Sequence, residues 1–314
     1  MENPNEHGPI SKTLLAVNFI VSASIVGMVF LIYAVIHQPP KLADTSNVVA
    51  VSHAFDNVPV VAKSVYVFDV ANNKVIFKKN EFAQLPLASI TKLMTALTAT
   101  ELLPKNSHVT IKKEFLADEG DSGLLTDESW KLKDLLDFSL VVSSNDGARS
   151  IASVAGAFDL KTDDYDLGRK DFISKMNEEA KKLGLKQTYF INESGLDEGT
   201  VSGGYGSAFD ISKLMQYILV NNPDLLEATK YSAINISSAD KTHLATNTDT
   251  EVNNIPGLIA SKTGFTDLAG GNLAVAFDSS IGRPIIVVVL GSTEEARFTD
   301  VAALVKASMN YTAQ

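Results

Sequence analysis

The sequence predicts an α+β fold, an antiparallel sheet with flanking helices and an inserted helical subdomain, behind one N-terminal transmembrane helix. Three observations predict it: an early strand hairpin, a long helical middle, and a strand-rich end closed by a helix. Thr13 to Ile36 carries no charged residue. At about 1.5 Å per residue it exceeds the roughly 30 Å hydrocarbon core of a bilayer. It reads as an anchor rather than a cleaved signal peptide, because the apolar run is too long, the leader is not basic and no A-x-A site follows. The expected organisation is a short segment 1–12, an anchor 13–36 stopped by Pro39-Pro40, a tether 37–58 and one domain 59–314.

Within that domain, Ala62 to Asp69 alternates like a strand and Val75-Ile76-Phe77 resumes after Asn72-Asn73, which is a hairpin signature. Pro86 shortly precedes a helical pattern, so Ser89 is expected at a helix start. Leu132, Leu135, Leu136, Leu140 and Val141 mark the buried face of a helix ending near Ser143, and Ile151, Ala152 and Ala155 begin another after Asn145. Ile259-Ala260-Ser261 leads into Lys262 as a strand, Asn272 to Phe277 and Pro284 to Leu290 supply two more, and Thr293 to Asn310 closes as a helix. The formal charge of −10, with no basic cluster, argues against a nucleic-acid partner. Zero cysteines remove disulfides, thiolate nucleophiles and cysteine-type zinc sites.

Chemistry concentrates in three short motifs: Ser89-Ile90-Thr91-Lys92, Ser143-Ser144-Asn145 and Lys262-Thr263-Gly264. On a helix the lysine of S-x-x-K shares a face with its serine and reaches the hydroxyl, as a base must reach its nucleophile. The trio S-x-x-K, S-x-N, K-T-G is the set found in penicillin-binding proteins and serine β-lactamases. Ser238-Ala239-Asp240-Lys241 repeats the first spacing in a polar stretch that reads as a loop, and Ser308-Met309-Asn310 repeats the second inside the C-terminal helix. Residues 80–99, 172–185, Thr188 to Asn192 and Gly195-Leu196-Asp197 add context. With them the chain, from about residue 56 to 314, resembles the serine D-alanyl-D-alanine carboxypeptidases, the low-molecular-weight penicillin-binding proteins.

That resemblance implies a penicillin-recognising fold and a serine D,D-carboxypeptidase that removes the terminal D-alanine of peptidoglycan stem pentapeptides. It also implies acylation of Ser89 by β-lactam antibiotics. Lys92 would take the serine proton, Ser143 would pass a proton toward the departing amine, and Asn145 would bind Lys92 and the substrate amide. Lys262 and Thr263 would meet the terminal carboxylate, while Gly264 would keep bulk away from a substrate paired with the strand edge. The oxyanion hole maps to the Ser89 and Phe265 backbone N–H groups. Arg297 would support the carboxylate site or cap a surface helix. No cofactor or metal is implied. Lys12 and Lys41 balance across the anchor, so orientation follows from the substrate instead: a single-pass cell-membrane protein with its catalytic domain on the extracytoplasmic side.

Two departures from the family pattern bear on subsite shape: Phe265 follows K-T-G where histidine or tyrosine is common, and Asn192-Glu193-Ser194-Gly195 replaces an Asn-Pro run. A β-lactamase would share the three motifs but needs a glutamate to hold its deacylating water, and Glu193 is the one nearby candidate. D,D-endopeptidase action stays open, whereas an idle wall-binding protein is disfavoured by the intact motifs. Other features read as structural. Gly120-Asp121-Ser122-Gly123 imitates a serine-protease tetrapeptide but has no partner histidine in a recognisable setting, so it reads as a turn. His7, His37, His53, His108 and His243 are scattered, which disfavours a zinc site and suggests surface positions. Gly203-Gly204-Tyr205-Gly206 lacks a phosphate-loop lysine and reads as a flexible lead into a helix.

Overall fold

The structure is a computed structural model that describes residues 53–116, 119–120 and 122–313. The expected anchor 13–36, segment 1–12 and tether as far as residue 52 lie outside the described residues, as do His7, His37 and Asp121. Among the described residues no helix is long and apolar enough to cross a membrane. The chain runs through β1 (Ser64–Asp69), β2 (Lys74–Lys79) and β3 (Leu85–Pro86), then a 3-10 turn (Ala88–Thr91) into α1 (Lys92–Leu102). β4 (His108–Thr110) and β5 (Ser129–Lys131) precede α2 (Leu132–Val141), α3 (Asn145–Leu160) and α4 (Tyr165–Lys182). β6 (Tyr189–Phe190) and β7 (Gly204–Gly206) lead to α5 (Ala208–Asn221), and β8 (Ala233–Ser237) and β9 (Thr242–Thr246) form a hairpin. The domain closes with β10 (Leu258–Thr266), β11 (Gly270–Asp278), β12 (Pro284–Ser292) and α6 (Ala296–Thr312).

Five strands form the main sheet in the order β10-β11-β12-β1-β2, each antiparallel to its neighbours. The near-continuous apolar run of β12 follows from its place: a central strand covered on both faces has no polar side to show. Its side chains alternate between two cores. Ile286, Val288 and Leu290 join the large core shared with α1 and the helical middle. Ile285, Val287 and Val289 join a second core with Val301, Leu304 and Val305 of α6. This period of two puts the helical half on one face and α6 on the other, and leaves β10 as an outer edge.

Helix α1 is buried on every side from Lys92 to Ala99, which is why its sequence shows no amphipathic stripe. α2 ends at Val141 and α3 starts at Asn145, so S-x-N occupies the bend between them, as its pattern predicted. Ser144 caps α3 by accepting from the Gly147 backbone N–H at 2.9 Å.

Some local expectations change. Gly204–Gly206 is a strand paired with β3 and β6 rather than a flexible lead, and Ser207 caps α5. The closing helix starts at Ala296, three residues later than expected, after a turn in which Thr293 Oγ1 accepts from the Ala296 N–H at 2.9 Å. Phe55, which falls within the span expected to be a tether, is 4% exposed and stacks on Phe77 at 5.3 Å. His243 is buried rather than on the surface, with Nε2 2.7 Å from Glu128 Oε1 and its ring against Trp130.

Asp300 on α6 ties the start of the domain to its end. Its carboxylate accepts from the Val61 and Ala62 backbone N–H groups, both at 2.8 Å, and from Ser292 Oγ at 2.7 Å. Asp300→Ala leaves these donors without their acceptor in a buried setting and is expected to cost about 3 kcal/mol. Urea denaturation checks this; a loss below about 1 kcal/mol would show that the clamp is incidental.

Candidate active site

The segment Leu87 to Thr91 is held from several directions. Ala88 has φ 48°, a left-handed conformation uncommon for a residue with a Cβ. The Leu87 N–H donates to Gly204 O at 2.9 Å, and Asn272 Nδ2 donates to Pro86 O and Leu87 O, each at 3.0 Å. Gly195, with φ 82°, lies so close that a Cβ there would sit 1.9 Å from Ala88 O. Ser89 is therefore presented by a strained turn that three elements keep in place, and such strain persists only where the surroundings over-determine it.

One turn on, Lys92 is 2% exposed. Its Nζ donates to Ser89 Oγ at 2.9 Å, Asn145 Oδ1 at 2.7 Å and Ser194 O at 2.8 Å. These acceptors come from the nucleophile turn, the start of α3 and the segment after β6. Asn145 spends its other end on Glu119 O at 2.7 Å, which fixes which side of its amide faces Lys92. Ser143 has φ 59°, and its Oγ accepts from Lys262 Nζ at 2.9 Å.

Edge strand β10 carries the third motif. Lys262 is 1% exposed, and its Nζ also donates to Thr263 O at 2.9 Å. Burial, then the Lys92 and Arg297 charges, push the Lys262 pKa well below its ordinary 10.5, with Asp249 acting in the opposite sense. Asp249 is itself buried, and burial raises its carboxyl pKa. Gly264 has a structural reason that differs from the expected one: a Cβ there would lie 2.8 Å from Leu87 O and 3.2 Å from Ser89 N. Its bare backbone lets the strand touch the nucleophile turn. Arg297 is 7% exposed and donates from Nη1 to Gly264 O at 3.0 Å, so it braces the K-T-G strand instead of capping a surface helix. Phe265 is 43% exposed at the strand edge.

All three motifs thus meet, joined by the bonds Lys92–Asn145 and Lys262–Ser143. Sequence reasoning did not single out Ser194, Thr248, Asp249 or Asn272. Only Ser194 left a signal, because it lies in the segment flagged as departing from a known pattern. Glu193 is fully buried, with both carboxylate oxygens 2.9 Å from Arg169 Nε, an ion pair that occupies it. Ser122 Oγ contacts Ser144 Oγ at 2.7 Å. Ser238 lies in the turn between β8 and β9, and Ser308 bonds back to Leu304 O within α6, as their settings suggested. Among the described residues no three His, Cys, Asp or Glu side chains are grouped to hold a metal.

Comparison with known proteins places the chain in a family. The sequence model of the D-alanyl-D-alanine carboxypeptidase family, peptidase S11, matches residues 49–294. The chain belongs to that family. It is 30% identical over 250 residues to the D-alanyl-D-alanine carboxypeptidase DacF of Bacillus subtilis, covering 77% of this chain but only 61% of the relative. A D-alanyl-D-alanine endopeptidase of Escherichia coli is 29% identical over 268 residues, covering 83% of this chain and 79% of the relative. Among solved structures, the ampicillin-bound penicillin-binding protein D2 of Listeria monocytogenes superposes with TM-score 0.68 at 28% identity, covering 80% of this chain and 98% of that one. A D-alanyl-D-alanine carboxypeptidase of Mycobacterium tuberculosis gives TM-score 0.70 at 26% identity, covering 80% and 92%. The expected α+β fold with antiparallel sheets is the one the chain shares with these solved structures.

The lowered Lys262 pKa sets a stability test. Between that lowered value and 10.5 the folded chain binds fewer protons than the unfolded chain, so wild-type stability rises with pH across the window. Lys262→Met removes the titrating group. Its stability relative to wild type should therefore be most favourable near neutral pH and fall by about 1 kcal/mol per pH unit within the window. Denaturant titrations between pH 7 and pH 10 measure it, and a constant difference contradicts the assignment.

Proposed function

We propose that this chain is a membrane-anchored serine D,D-carboxypeptidase that removes the terminal D-alanine from peptidoglycan stem pentapeptides, through an acyl-enzyme on Ser89. The observation that carries the reading is that Lys92 Nζ lies within hydrogen-bond distance of both Ser89 Oγ and Asn145 Oδ1, beside a second buried lysine bonded to Ser143. Family membership supports it, and so does similarity to the Bacillus subtilis D-alanyl-D-alanine carboxypeptidase.

In this mechanism Ser89 Oγ attacks the carbonyl of the penultimate D-alanine while its proton passes to Lys92 in the neutral state. The tetrahedral oxyanion is met by the Ser89 and Phe265 backbone N–H groups, and the bare Gly264 backbone lets the strand lie against the Ser89 turn. Collapse breaks the C–N bond, and the departing D-alanine amine takes a proton from Lys92 by way of Ser143. Water, deprotonated in turn by Lys92, attacks the ester, and the restored Ser89 hydroxyl leaves with the proton. Asn145 holds Lys92 and the substrate amide. Lys262 and Thr263 bind the terminal carboxylate, and Arg297 braces the strand that carries them. The segment 13–36 would hold the enzyme on the outer face of the cell membrane, where this substrate lies.

Occupation of Glu193 by Arg169 supports a carboxypeptidase over a β-lactamase, since that fully buried carboxylate is engaged in an ion pair. The similarity to an Escherichia coli endopeptidase keeps cleavage of cross-linked peptides as the second reading.

Incubation with ampicillin is expected to add one drug mass at Ser89, and Lys92→Ala to slow that acylation on the order of 10³-fold. Mass spectrometry of the labelled peptide checks both. The adduct should outlast the acyl-enzyme formed from a peptide, so nitrocefin turns over slowly while a defined pentapeptide releases D-alanine. An adduct elsewhere, or fast nitrocefin hydrolysis without D-alanine release, would overturn the reading. Product analysis on cross-linked muropeptides separates endopeptidase from carboxypeptidase action.

A further inference from the structure

The Thr263 hydroxyl has one hydrogen-bond partner among the described residues, and it is another hydroxyl: Thr248 Oγ1, at 2.5 Å. Thr248 follows β9 in a loop with no motif in its sequence, yet the loop is tightly held. Asn247 Nδ2 donates to Thr229 O and Tyr231 O at 2.8 and 3.0 Å, and its Oδ1 accepts from the Asp249 N–H at 2.9 Å. The Thr248 N–H donates to Val141 O at 3.2 Å, at the last residue of α2 and two before Ser143. Thr248, itself half-buried, therefore bridges the S-x-N bend and the K-T-G strand.

A hydroxyl carries one proton and two lone pairs, so two hydroxyls 2.5 Å apart share one proton between them and leave the other to point elsewhere. A carboxylate only accepts, so Thr263 can serve it only by donating, and its lone pair must then be met from the other side. Thr248 is the group placed to meet it. The geometry points to Thr248 as a positioning residue for the reaction: it donates to Thr263 and so turns the Thr263 proton toward the substrate's terminal carboxylate. This rests on the carboxypeptidase reading above, and Thr248 need not touch substrate.

The test measures kcat and KM for an acyl-D-Ala-D-Ala acid and for its C-terminal amide, in wild type, Thr248→Val, Thr248→Ser, Thr248→Ala, Thr263→Val and the Thr248→Val/Thr263→Val double variant. Thr248→Val is expected to lower kcat/KM for the acid about tenfold, chiefly through KM, and to change the slow turnover of the amide by less than about twofold. Thr248→Ser should restore the acid-to-amide ratio, and Thr248→Ala should lose it as the valine does. Thr263→Val should cost more than Thr248→Val, and the double variant no more than Thr263→Val alone, because the two hydroxyls act as one unit. If Thr248→Val does not fold, the alanine and serine variants decide by the same ratio. An equal fall on acid and amide, additive losses, or no fall overturns the proposal while leaving the enzyme reading intact. A wild type inert on the acid overturns the enzyme reading and this proposal with it.

Discussion

Lys92 begins a helix whose first two turns are buried on all sides, so its ammonium must find its acceptors within the protein. A buried cation without partners costs several kcal/mol, and here the three partners come from segments far apart in the sequence: Ser89 on the preceding turn, Asn145 at the start of α3, and the Ser194 carbonyl after β6. Satisfying that one group requires the helical middle to dock on α1 and the segment around residue 194 to fold across both. Lys262 imposes a second demand of the same kind from the sheet side, met by Ser143 and its neighbour's carbonyl. The cleft is thus organised around two desolvated amines, each bonded to the motif between them.

The backbone bears part of this cost. Ala88 and Ser143, one on each side of the nucleophile's neighbourhood, sit at φ 48° and 59°, where a Cβ is disfavoured by roughly 1 kcal/mol or more each. Packing keeps them there. Gly195 and Gly264 allow contacts with the Ser89 turn that any side chain would block. Asn272, on a neighbouring strand, holds two carbonyls of the same region and accepts from the Gly291 N–H at 2.7 Å. Rigid placement of Ser89 is therefore a property of the sheet as much as of the helix on which the motif is written.

Much of the fold was legible because its signals are local. The alternation of Val65 and Val67, the all-apolar β12 and the S-x-x-K at a helix start each survive in the structure near where the pattern put them. The three motifs were legible as a set because their residue types are rare in that order. What escaped was information carried by contacts between distant segments. Thr248 and Asp249 sit in a polar loop without periodicity, and nothing local marks them as lying beneath K-T-G. His243 looked like a surface residue because its burial depends on Glu128 and Trp130, contributed by another hairpin. The run Gly203 to Gly206 looked flexible because glycine has little strand preference, yet pairing with β3 and β6 orders it.

The place of β1 in the sheet bears on how the protein acquires its structure. β1 is made early in the chain but lies between β2 and β12, and the Ala62 amide just before it bonds to Asp300, 238 residues away. Contacts of such sequence separation form slowly, because a large loop must close before any bond rewards the closure. The hairpin of β1 and β2 must wait with one edge unpaired until nearly the whole chain is present. Asn272 and the K-T-G strand belong to those last strands, so the contacts that hold the Ser89 turn are complete only once they are in place. Placement of the nucleophile therefore depends on the last strands of the sheet.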